Sequence, residues 1–311
     1  MNLRHLRCFA VLATEGHCGR AASRCHVTQP TLSEAIRQLE AELGVPLVER
    51  GGQRFRGLTP EGARALGRVR RILADEDALA QELTTLKQGL AGMLRFGVIP
   101  AAMVVAPLVV DAFHRHHPRV TIRLLSMSSI EIQRALDSFD LEAGLTYLEN
   151  EPPRNVRMLP LYRERYVLLT PSRGRLARRA TIGWREAAAQ LLCLLTPEMQ
   201  NRRIVDRLFR EAGAAPVPAI ETDSVMALCA HVRLGARSSV VPHSLLALLD
   251  RMPGVRAIPL VDPAASQSVG LVATDREPLP PLARAFLASA AKAGIAARLD
   301  ALLPKRRRSS S

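Results

Sequence analysis

The chain has 311 residues, 48% of them apolar, and a formal net charge of +14. That length exceeds one ordinary domain, so two or three domains are expected. Apolar runs stay well short of the ~20 residues of a membrane span, and the N-terminus lacks a basic segment followed by an apolar core. Five cysteines without a Cys-x-x-Cys pair favour a reduced compartment. The composition therefore excludes a membrane protein and a disulfide-built secreted protein, and we expect a cytoplasmic one.

Residues 19–50 are predicted to form two short amphipathic helices joined by a tight turn. Their apolar residues recur at helical spacing: Ala21, Ala22 and Cys25 in the first helix, and Leu32, Ile36, Leu39 and Leu43 in the second. Thr28 is placed to cap the second helix, and Pro30 in its first turn fixes the backbone angle without losing a hydrogen bond. Polar side chains remain for the exposed start of this helix, where recognition helices meet base edges. The pattern favours a DNA-reading helix-turn-helix over an ordinary amphipathic hairpin.

The positive charge is spread along the chain and is not concentrated in this region. Before residue 91 there are 13 Lys and Arg against 10 Asp and Glu, and four basic residues cluster at 305–308. Charge is therefore a weak indicator of DNA binding, and the helix chemistry carries the prediction. The tail 305–311 is expected to be a disordered, solvated extension.

A long helix is predicted to begin at Thr59, as its cap, and Pro60, and to continue to about Gly89. Along it, apolar residues repeat with alternating four- and three-residue steps, interrupted at Glu76. The repeat predicts a coiled-coil seam for dimerisation, with packing on the chain's own body as the alternative. The residues of this predicted seam are Ala65, Val69, Ile72, Leu79, Leu83 and Leu86.

Beyond Gly92 the pattern changes to alternating strands and helices. Strands are expected at 93–99, 120–124 and 141–145, with an apolar helix from Pro100 and another from Ser128 between them. This alternation predicts a parallel sheet with helices on both faces. Ligands of such sheets bind beyond the carboxyl ends of the strands, where helix N-termini offer backbone N–H groups.

Together these features resemble the LysR-type transcriptional regulators over essentially the whole chain. The motifs that carry the resemblance are LRHLRCF at 3–9, QPTLS at 29–33, IRQLE at 36–40, LGVPL at 43–47 and LTPEG at 58–62. The resemblance implies an N-terminal all-α winged helix-turn-helix at 1–58 with a long linker helix at 59–89. An α/β, two-lobed, periplasmic-binding-protein-like (type 2) effector domain would follow at 90–304.

Carried over by position, the resemblance implies base or phosphate contacts by the second helix and a basic wing at 50–56 beside the minor groove. The predicted DNA-binding residues are Thr28, Gln29, Pro30, Thr31, Ser33, Glu34, Arg37, Arg50, Arg54 and Arg56. Three positions depart from the family pattern. Cys18 replaces a usual serine, Val48 replaces a usual phenylalanine, and Glu34 stands where an arginine commonly touches DNA. A glutamate there would repel phosphate but can accept from a cytosine amino group, so we expect an altered operator preference.

The resemblance also implies a ligand cleft between lobe I, about 93–162 plus 268–300, and lobe II, about 163–267. The predicted effector-binding residues are Pro100, Ala101, Ala102, Ser128, Ser129, Thr146, Tyr147, Thr196, Gln200, Asn201, Arg202, Thr222 and Ser224. Ala101 and Ala102 replace the serine or threonine that many relatives use to bind a carboxylate. The remaining hydroxyl, amide and guanidinium donors predict a small organic or inorganic anion such as a carboxylate. Helix capping is the alternative role for each serine.

The predicted function is an effector-responsive, DNA-binding regulator. Its expected partners are double-stranded promoter DNA, a small-molecule effector, further copies of itself in a dimer or homotetramer, and RNA polymerase. A solute-binding protein and a redox-sensing regulator of the same fold are the alternatives, the latter through Cys193 and Cys229. Catalytic motifs are lacking, so the sequence predicts neither an enzyme, nor a metal site, nor a cofactor besides the effector.

Overall fold

The computed structural model describes residues 1–51, 54–176, 178–249 and 253–302. Two compact units emerge, one of Met1–Gly89 with Asp137–Phe139 and the other of Leu90–Leu136 with the residues from Asp140 onward. The predicted tail at 305–311 and the predicted end of the effector domain at 304 lie outside the described residues. None of the helices in the described ranges combines the length and apolar character needed to cross a bilayer.

The first unit is a helix-turn-helix followed by a two-stranded wing and a long helix. Its elements are α1 (Leu3–Glu15), α2 (Cys18–Arg24), α3 (Gln29–Leu43), β1 (Val48–Gly51), β2 (Arg54–Leu58) and α4 (Pro60–Gln88). Strands β1 and β2 pair antiparallel. Helices α1 and α3 each end at a glycine in the left-handed conformation, Gly16 at φ 62° and Gly44 at φ 71°. The winged helix-turn-helix fold is confirmed.

One hydrophobic core holds this unit together. Phe9 is buried in it, and so are Ala21, Leu32 and Leu39, as the apolar periodicity predicted for these three. Leu43 is a correction, since it lies in the last turn of α3 and keeps 41% of its surface exposed. The buried stripe of α3 therefore ends about one turn earlier than expected.

The start of α4 is fixed against the base of the wing. The Thr59 hydroxyl donates to the Pro46 carbonyl at 2.7 Å and accepts from the Gly62 N–H at 2.9 Å. A Cβ at position 62 would lie 1.9 Å from the Leu47 carbonyl oxygen, so only glycine allows this approach. Thr59 is thus the helix cap that the sequence predicted.

The second unit alternates strands and helices before the chain returns to its first sheet. Its strands are β3 (Gly92–Val98), β4 (Val120–Ser126), β5 (Ala143–Tyr147), β6 (Val156–Pro171), β7 (Ile182–Gly183), β8 (Cys193–Leu195), β9 (Ile220–Thr222), β10 (Ser239–Pro242), β11 (Val255–Val261) and β12 (Ser266–Thr274). Its α-helices are α5 (Ala106–His114), α6 (Ser129–Asp137), α7 (Trp184–Ala188), α8 (Gln200–Glu211), α9 (Val225–Arg233), α10 (Leu246–Leu249), α11 (Pro281–Ala291) and α12 (Ile295–Asp300). Short 3-10 helices occupy Pro100–Ala102 and His243–Leu245.

The three strands predicted to be parallel are parallel, and they belong to a larger mixed sheet. Strands β3, β4 and β5 are parallel, as their helical connections require. Strand β12 then adds antiparallel to both β5 and β6, and β10 and β11 add antiparallel to β6. The antiparallel strands belong to the returning half of the chain, where sequence alternation does not reveal strand order.

Two lobes share the long strand β6. Its first part pairs with β12 in lobe I, together with β3–β5. Its last part pairs with β10 and β11 in lobe II. The predicted lobe limits at 162/163 and 267/268 fall inside β6 and β12, so continuous strands pass from one lobe to the other.

Glycines bring helix α6 close to the sheet of lobe I. A Cβ on Gly144 would lie 2.5 Å from the Ile132 Cγ2, and one on Gly97 would lie 3.2 Å from the Ile132 Cγ1. Ile132 is buried in this contact. Helix α6 is therefore packed closely against β3 and β5.

Candidate functional site

Helix α3 presents a polar face at its N-terminal end. The Thr28 hydroxyl caps the helix by accepting from the Thr31 N–H at 3.4 Å, and the two threonine hydroxyls lie 2.8 Å apart. The predicted contact residues on this helix are exposed, except for the half-buried Ser33: Thr28, Gln29, Pro30, Thr31, Glu34 and Arg37. Opposite them, Leu32, Ala35 and Ile36 are buried. The structure therefore brings the six exposed residues to one accessible surface.

Glu34 is bonded to its neighbours on α3. Its carboxylate pairs with the Arg37 guanidinium at 3.2 Å and accepts from the Gln38 Nε2 at 3.2 Å. The pair reduces the positive charge that Arg37 offers to a phosphate. This contact was missed in the sequence, although the i, i+3 spacing of the two residues indicates it.

A side chain of α3 holds the start of the wing in place. The Glu40 Oε1 accepts the N–H groups of Leu47 at 2.9 Å and Val48 at 3.1 Å, which positions the start of β1. Arg56 is exposed on β2. Arg50 and Arg54 lie on the strands, but their side chains fall outside the described part of the chain.

The predicted seam on α4 divides into a buried and an exposed part. Ala65 and Val69 pack into the core of the first unit, and Val69 is only 4% exposed. The prediction of a partner contact at Val69 is therefore wrong, because α1 already covers it. The exposed apolar residues on α4 are Ile72, Leu79, Leu83 and Leu86. Glu76, which interrupts the apolar repeat, pairs with Arg7 at 2.7 Å.

A small cavity lies between the two lobes of the second unit. Lobe I contributes Pro100, Ala101, Ser128, Ser129 and Tyr147 to its lining, and lobe II contributes Gln200 and Asn201. Its volume of about 10 Å³ is comparable to the space for one water molecule. Helices α6 and α8 both begin at this cavity, so their positive dipole ends face it.

Two polar groups at the cavity have no partner among the described residues. They are the Ser129 hydroxyl and the amide of Gln200, which is 3% exposed. Ser128 is a helix cap, since its hydroxyl accepts from the Glu131 N–H at 3.2 Å and its N–H donates to the Glu131 carboxylate at 2.7 Å. These contacts, the backbone N–H first, lower the pKa of Glu131. Ser129 and Gln200 are thus the groups available to a ligand.

A buried carboxyl group stands behind the cavity. Glu164 on β6 is fully buried and accepts from the hydroxyls of Tyr147 and Tyr162, the latter at 3.3 Å. The Asn201 Nδ2 of lobe II donates to the Tyr147 hydroxyl at 2.7 Å. Burial raises the pKa of Glu164 to about 8. Glu164 was not among the residues predicted from the sequence, although strand alternation puts it on one face of β6 with Tyr162 and Tyr166.

Several predicted effector residues lie elsewhere, and Arg202 is the clearest correction. Its guanidinium donates to Asp206 at 2.8 Å, to Glu221 at 2.6 Å and to the Leu195 carbonyl at 2.5 Å, all within lobe II. The other predicted residues that do not line the cavity are Ala102, Thr146, Thr196, Thr222 and Ser224. Ser224 caps α9, and Ala102 is buried in the core.

A second set of contacts joins the lobes outside the cavity. Glu151, in the segment after β5, forms a two-point ion pair with Arg203 of α8, at 2.5 and 2.7 Å. Asn150 accepts from Arg207 of the same helix. Arg203 lowers the pKa of Glu151 through this hydrogen bond. Lobe I is thereby tied to α8 of lobe II at two points.

The cysteines of lobe II are poorly placed for redox sensing. Cys193 and Cys229 are buried in one apolar cluster. Burial raises the pKa of both thiols, which keeps them in the weakly nucleophilic protonated form.

Both units of the chain match models of known protein families. The family model of the LysR substrate binding domain matches residues 87–294, and that of the bacterial regulatory helix-turn-helix protein, lysR family, matches residues 3–63. The chain belongs to the LysR family. This LysR-type regulator is 33% identical over 247 residues to a probable hydrogen peroxide-inducible genes activator of Streptomyces viridosporus, covering 78% of each chain.

Solved structures agree with this family membership. A full-length OxyR variant from Pseudomonas aeruginosa superposes with a TM-score of 0.76 at 27% identity, over 96% of this chain and 97% of that one. Full-length CbnR complexed with its target DNA gives a TM-score of 0.65 at 25% identity, over 94% and 100%. The chain is a LysR-type transcriptional regulator with a DNA-binding helix-turn-helix and a two-lobed effector domain.

Proposed function

We propose that this LysR-type regulator binds promoter DNA through the exposed N-terminal face of α3 and through its wing. The single observation that carries the proposal is the accessible polar set at the start of α3, held by the Thr28 cap above a buried apolar stripe. Gln29 has the donor and acceptor geometry for an adenine edge, and Thr31 and Ser33 suit bases or phosphates. Arg56 supplies positive charge on the wing.

Dimerisation through α4 completes this proposal. Leu79, Leu83 and Leu86 expose 59, 54 and 79% of their surfaces on one helix, which is unfavourable unless a second copy covers them. A two-fold dimer would present two copies of α3 to half-sites one DNA turn or a multiple apart. The relative CbnR has been solved in complex with its target DNA, which supports DNA as the partner of this chain. A tetramer and a contact with RNA polymerase extend the same proposal, and chromosomal DNA as partner implies the cytoplasm.

The effector in this proposal is a small anion bound between the lobes without chemical conversion. The Ser129 hydroxyl and the Gln200 amide supply donors, and two helix N-termini supply positive potential. Arg202 does not neutralise the anion, since it is held by Asp206 and Glu221. Binding would favour lobe closure and shift the arrangement of protomers on DNA.

A gel-shift titration against the DNA upstream of the chain's own gene tests the DNA-binding part. We expect sequence-specific, salt-sensitive binding that Gln29→Ala and Thr31→Ala weaken by about tenfold each. A matched control is Glu42→Ala, exposed in the last turn of the same helix and beyond the proposed contact face. Equal binding to this DNA and to unrelated DNA would contradict the proposal.

A thermal-shift screen on the full chain tests the effector. Formate, acetate, nitrate and phosphate are compared with neutral formamide and acetamide and with methylammonium. We expect at least one anion to raise the melting temperature of the wild type, and Gln200→Leu to remove that rise. Stabilisation by the neutral or cationic compounds alone would contradict an anionic effector.

A further inference from the structure

A second concave site lies entirely on lobe I, beside the inter-lobe cavity. It is a groove of about 620 Å³ between α6 and the segment that follows β5. Its walls are apolar, formed by Ile130, Ile132 and Leu136 of α6 and by Pro152 and Pro153 opposite them. A groove of this size accommodates a small organic molecule, whereas the inter-lobe cavity has room for about one water.

The floor of the groove carries a buried hydroxyl without a partner. Thr146 is 3% exposed, and its Oγ1 has no hydrogen-bond partner among the described residues. Thr146 lies on the same face of β5 as Gly144, which is the face that α6 covers. The unpartnered Ser129 hydroxyl also lines the groove. A buried hydroxyl without a partner costs free energy, so two of them at one groove indicate a polar group that binds there.

The rim of the groove is positively charged. Arg134 and Arg154 both line it; Arg134 also interacts electrostatically with Glu131, whereas Arg154 forms no ion pair with the residues that the structure describes. Gln133 fixes the position of Arg154, donating to its carbonyl at 3.0 Å and accepting its N–H at 2.8 Å. The acidic residue at this rim, Glu151, is already neutralised by Arg203. The local charge therefore favours an anion.

We propose that this groove is a second ligand site, distinct from the inter-lobe cavity, for a small monocarboxylate with an apolar body. The apolar body packs between α6 and the two prolines. The Thr146 hydroxyl donates to the carboxylate, and Arg154 and Arg134 attract it. This site does not depend on an anion in the inter-lobe cavity. Because Ser129 and Tyr147 line both spaces, a ligand in the groove lies next to the cavity and can act on it directly.

Calorimetric titration of the full chain with phenylacetate tests the proposal, with phenylacetamide as the uncharged match. We expect phenylacetate to bind and phenylacetamide to bind at least about tenfold more weakly. Thr146→Val and Arg154→Gln should each weaken phenylacetate binding by about tenfold, since each removes one donor to the carboxylate. Arg123→Gln changes an exposed arginine of lobe I outside the groove and should leave the affinity unchanged.

The fold of Thr146→Val is not at risk, because a methyl group replaces a hydroxyl that forms no hydrogen bond. Its melting temperature should equal or exceed that of the wild type. Absence of phenylacetate binding at millimolar concentration, or equal binding by the wild type and both groove variants, would overturn the proposal.

Methyl NMR of the full chain separates the groove from the cavity. Ile132 lines the groove alone, and Met199 lines the cavity alone. We expect phenylacetate to shift the Ile132 methyl resonance and to leave that of Met199 in place. A shift confined to Met199 would place the ligand between the lobes and overturn the second site, while leaving the anionic effector of the cavity intact.

Discussion

Glu34 changes what the recognition helix can offer to DNA. Its carboxylate engages Arg37, so two groups that point to the operator partly cancel each other's charge. An exposed pair of this kind is weak, and DNA can separate it at little cost. Glu34 therefore tunes the preference of the helix without blocking it.

Replacing Glu34 by glutamine should free Arg37 for a phosphate. We expect tighter DNA binding and a salt dependence steeper by roughly one unit of log–log slope per protomer. Glu34→Arg should add a further contact and alter base preference. Fluorescence anisotropy over a salt series measures both effects, with Glu42→Gln, at the far end of the same helix, as control. An unchanged slope for both Glu34 variants would show that this side chain stays in solvent.

The shifted pKa values of Glu164 and His243 predict how the stability of the fold depends on pH. The folded pKa of Glu164, about 8, lies above its unfolded value of 4.5, so its contribution is present at low pH and lost as pH rises toward 8. Burial lowers the pKa of His243 to about 4, below its unfolded 6.5, so its contribution is lost as pH falls from 6.5 toward 4. The two groups change stability with pH in opposite directions. Above pH 6.5 the contribution of His243 is constant, so Glu164 alone of the two sets the pH dependence.

We expect the melting temperature of the wild type to fall between pH 6.5 and 8.5 and that of Glu164→Gln to fall much less. Glutamine keeps the shape and hydrogen bonds of the protonated carboxyl but cannot ionise. Differential scanning fluorimetry across that range measures the effect. Parallel curves for the two proteins would show that Glu164 does not titrate there.

Some of these residue roles could be predicted from the sequence and others could not. The exposed face of α3 was predictable because every residue that shapes it lies within the same two turns. The ion pairing of Arg202 was not predictable, because its partner Glu221 lies on β9. The sequence does not show that β9 lies beside α8. Glu164 stands between the exposed Arg163 and Arg165, and only the burial of the opposite face of β6 reveals its position.

Among the elements, α4 shows how one apolar repeat can serve two purposes. Val69 completes the core of the DNA-binding domain, while Leu79, Leu83 and Leu86 remain exposed further along. The heptad-like spacing is the same in both parts, so the spacing alone could not separate intramolecular from intermolecular packing. Only the packing of α1 on α4 shows which part of the repeat belongs to the core and which part stays exposed.

The exposed part of α4 should control self-association. Leu83→Glu places a charge in the proposed seam and should weaken the dimer by about tenfold or more. Thr84→Glu, at the adjacent exposed position, should leave it unchanged. Sedimentation velocity over a concentration series measures the dissociation constant. Equal constants for the two variants would contradict the seam.

The first turn of α4 should be sensitive to a single methyl group. Gly62→Ala would force Cβ against the Leu47 carbonyl and should cost about 2 kcal/mol or more of unfolding free energy. Gly67→Ala on the same helix meets no atom within 4 Å and should stabilise by about 0.5–1 kcal/mol. Urea denaturation of both variants gives the comparison, and the prediction fails if they shift stability in the same direction.

At the scale of the effector domain, the lobes are joined by polar contacts around a nearly filled cavity. The ion pair of Glu151 with Arg203 and the Asn201–Tyr147 hydrogen bond each link one lobe to the other. The exposed ion pair contributes little and the buried hydrogen bond contributes about 1 kcal/mol, so lobe separation is expected to be inexpensive. That suits a domain whose ligand has to enter between its lobes.

Glu151→Gln should make this separation more frequent. We expect amides at 200–203 to exchange with deuterium up to about fivefold faster, corresponding to the loss of about 1 kcal/mol. Glu186→Gln removes an exposed ion pair within lobe II itself and serves as the matched control. If both variants changed exchange at 200–203 equally, the Glu151 contact would not hold the lobes together.

The return of β12 to lobe I also sets an order of events during synthesis. Strand β12 lies between β5 and β6 in the sheet, yet it is translated after all of lobe II. Lobe I therefore cannot complete its sheet while the ribosome is still making lobe II. The helix-turn-helix, whose hydrophobic core is built from residues between Leu6 and Leu73, can fold long before that. Nascent regulator would thus acquire a formed DNA-binding surface before it acquires a site able to respond to a ligand.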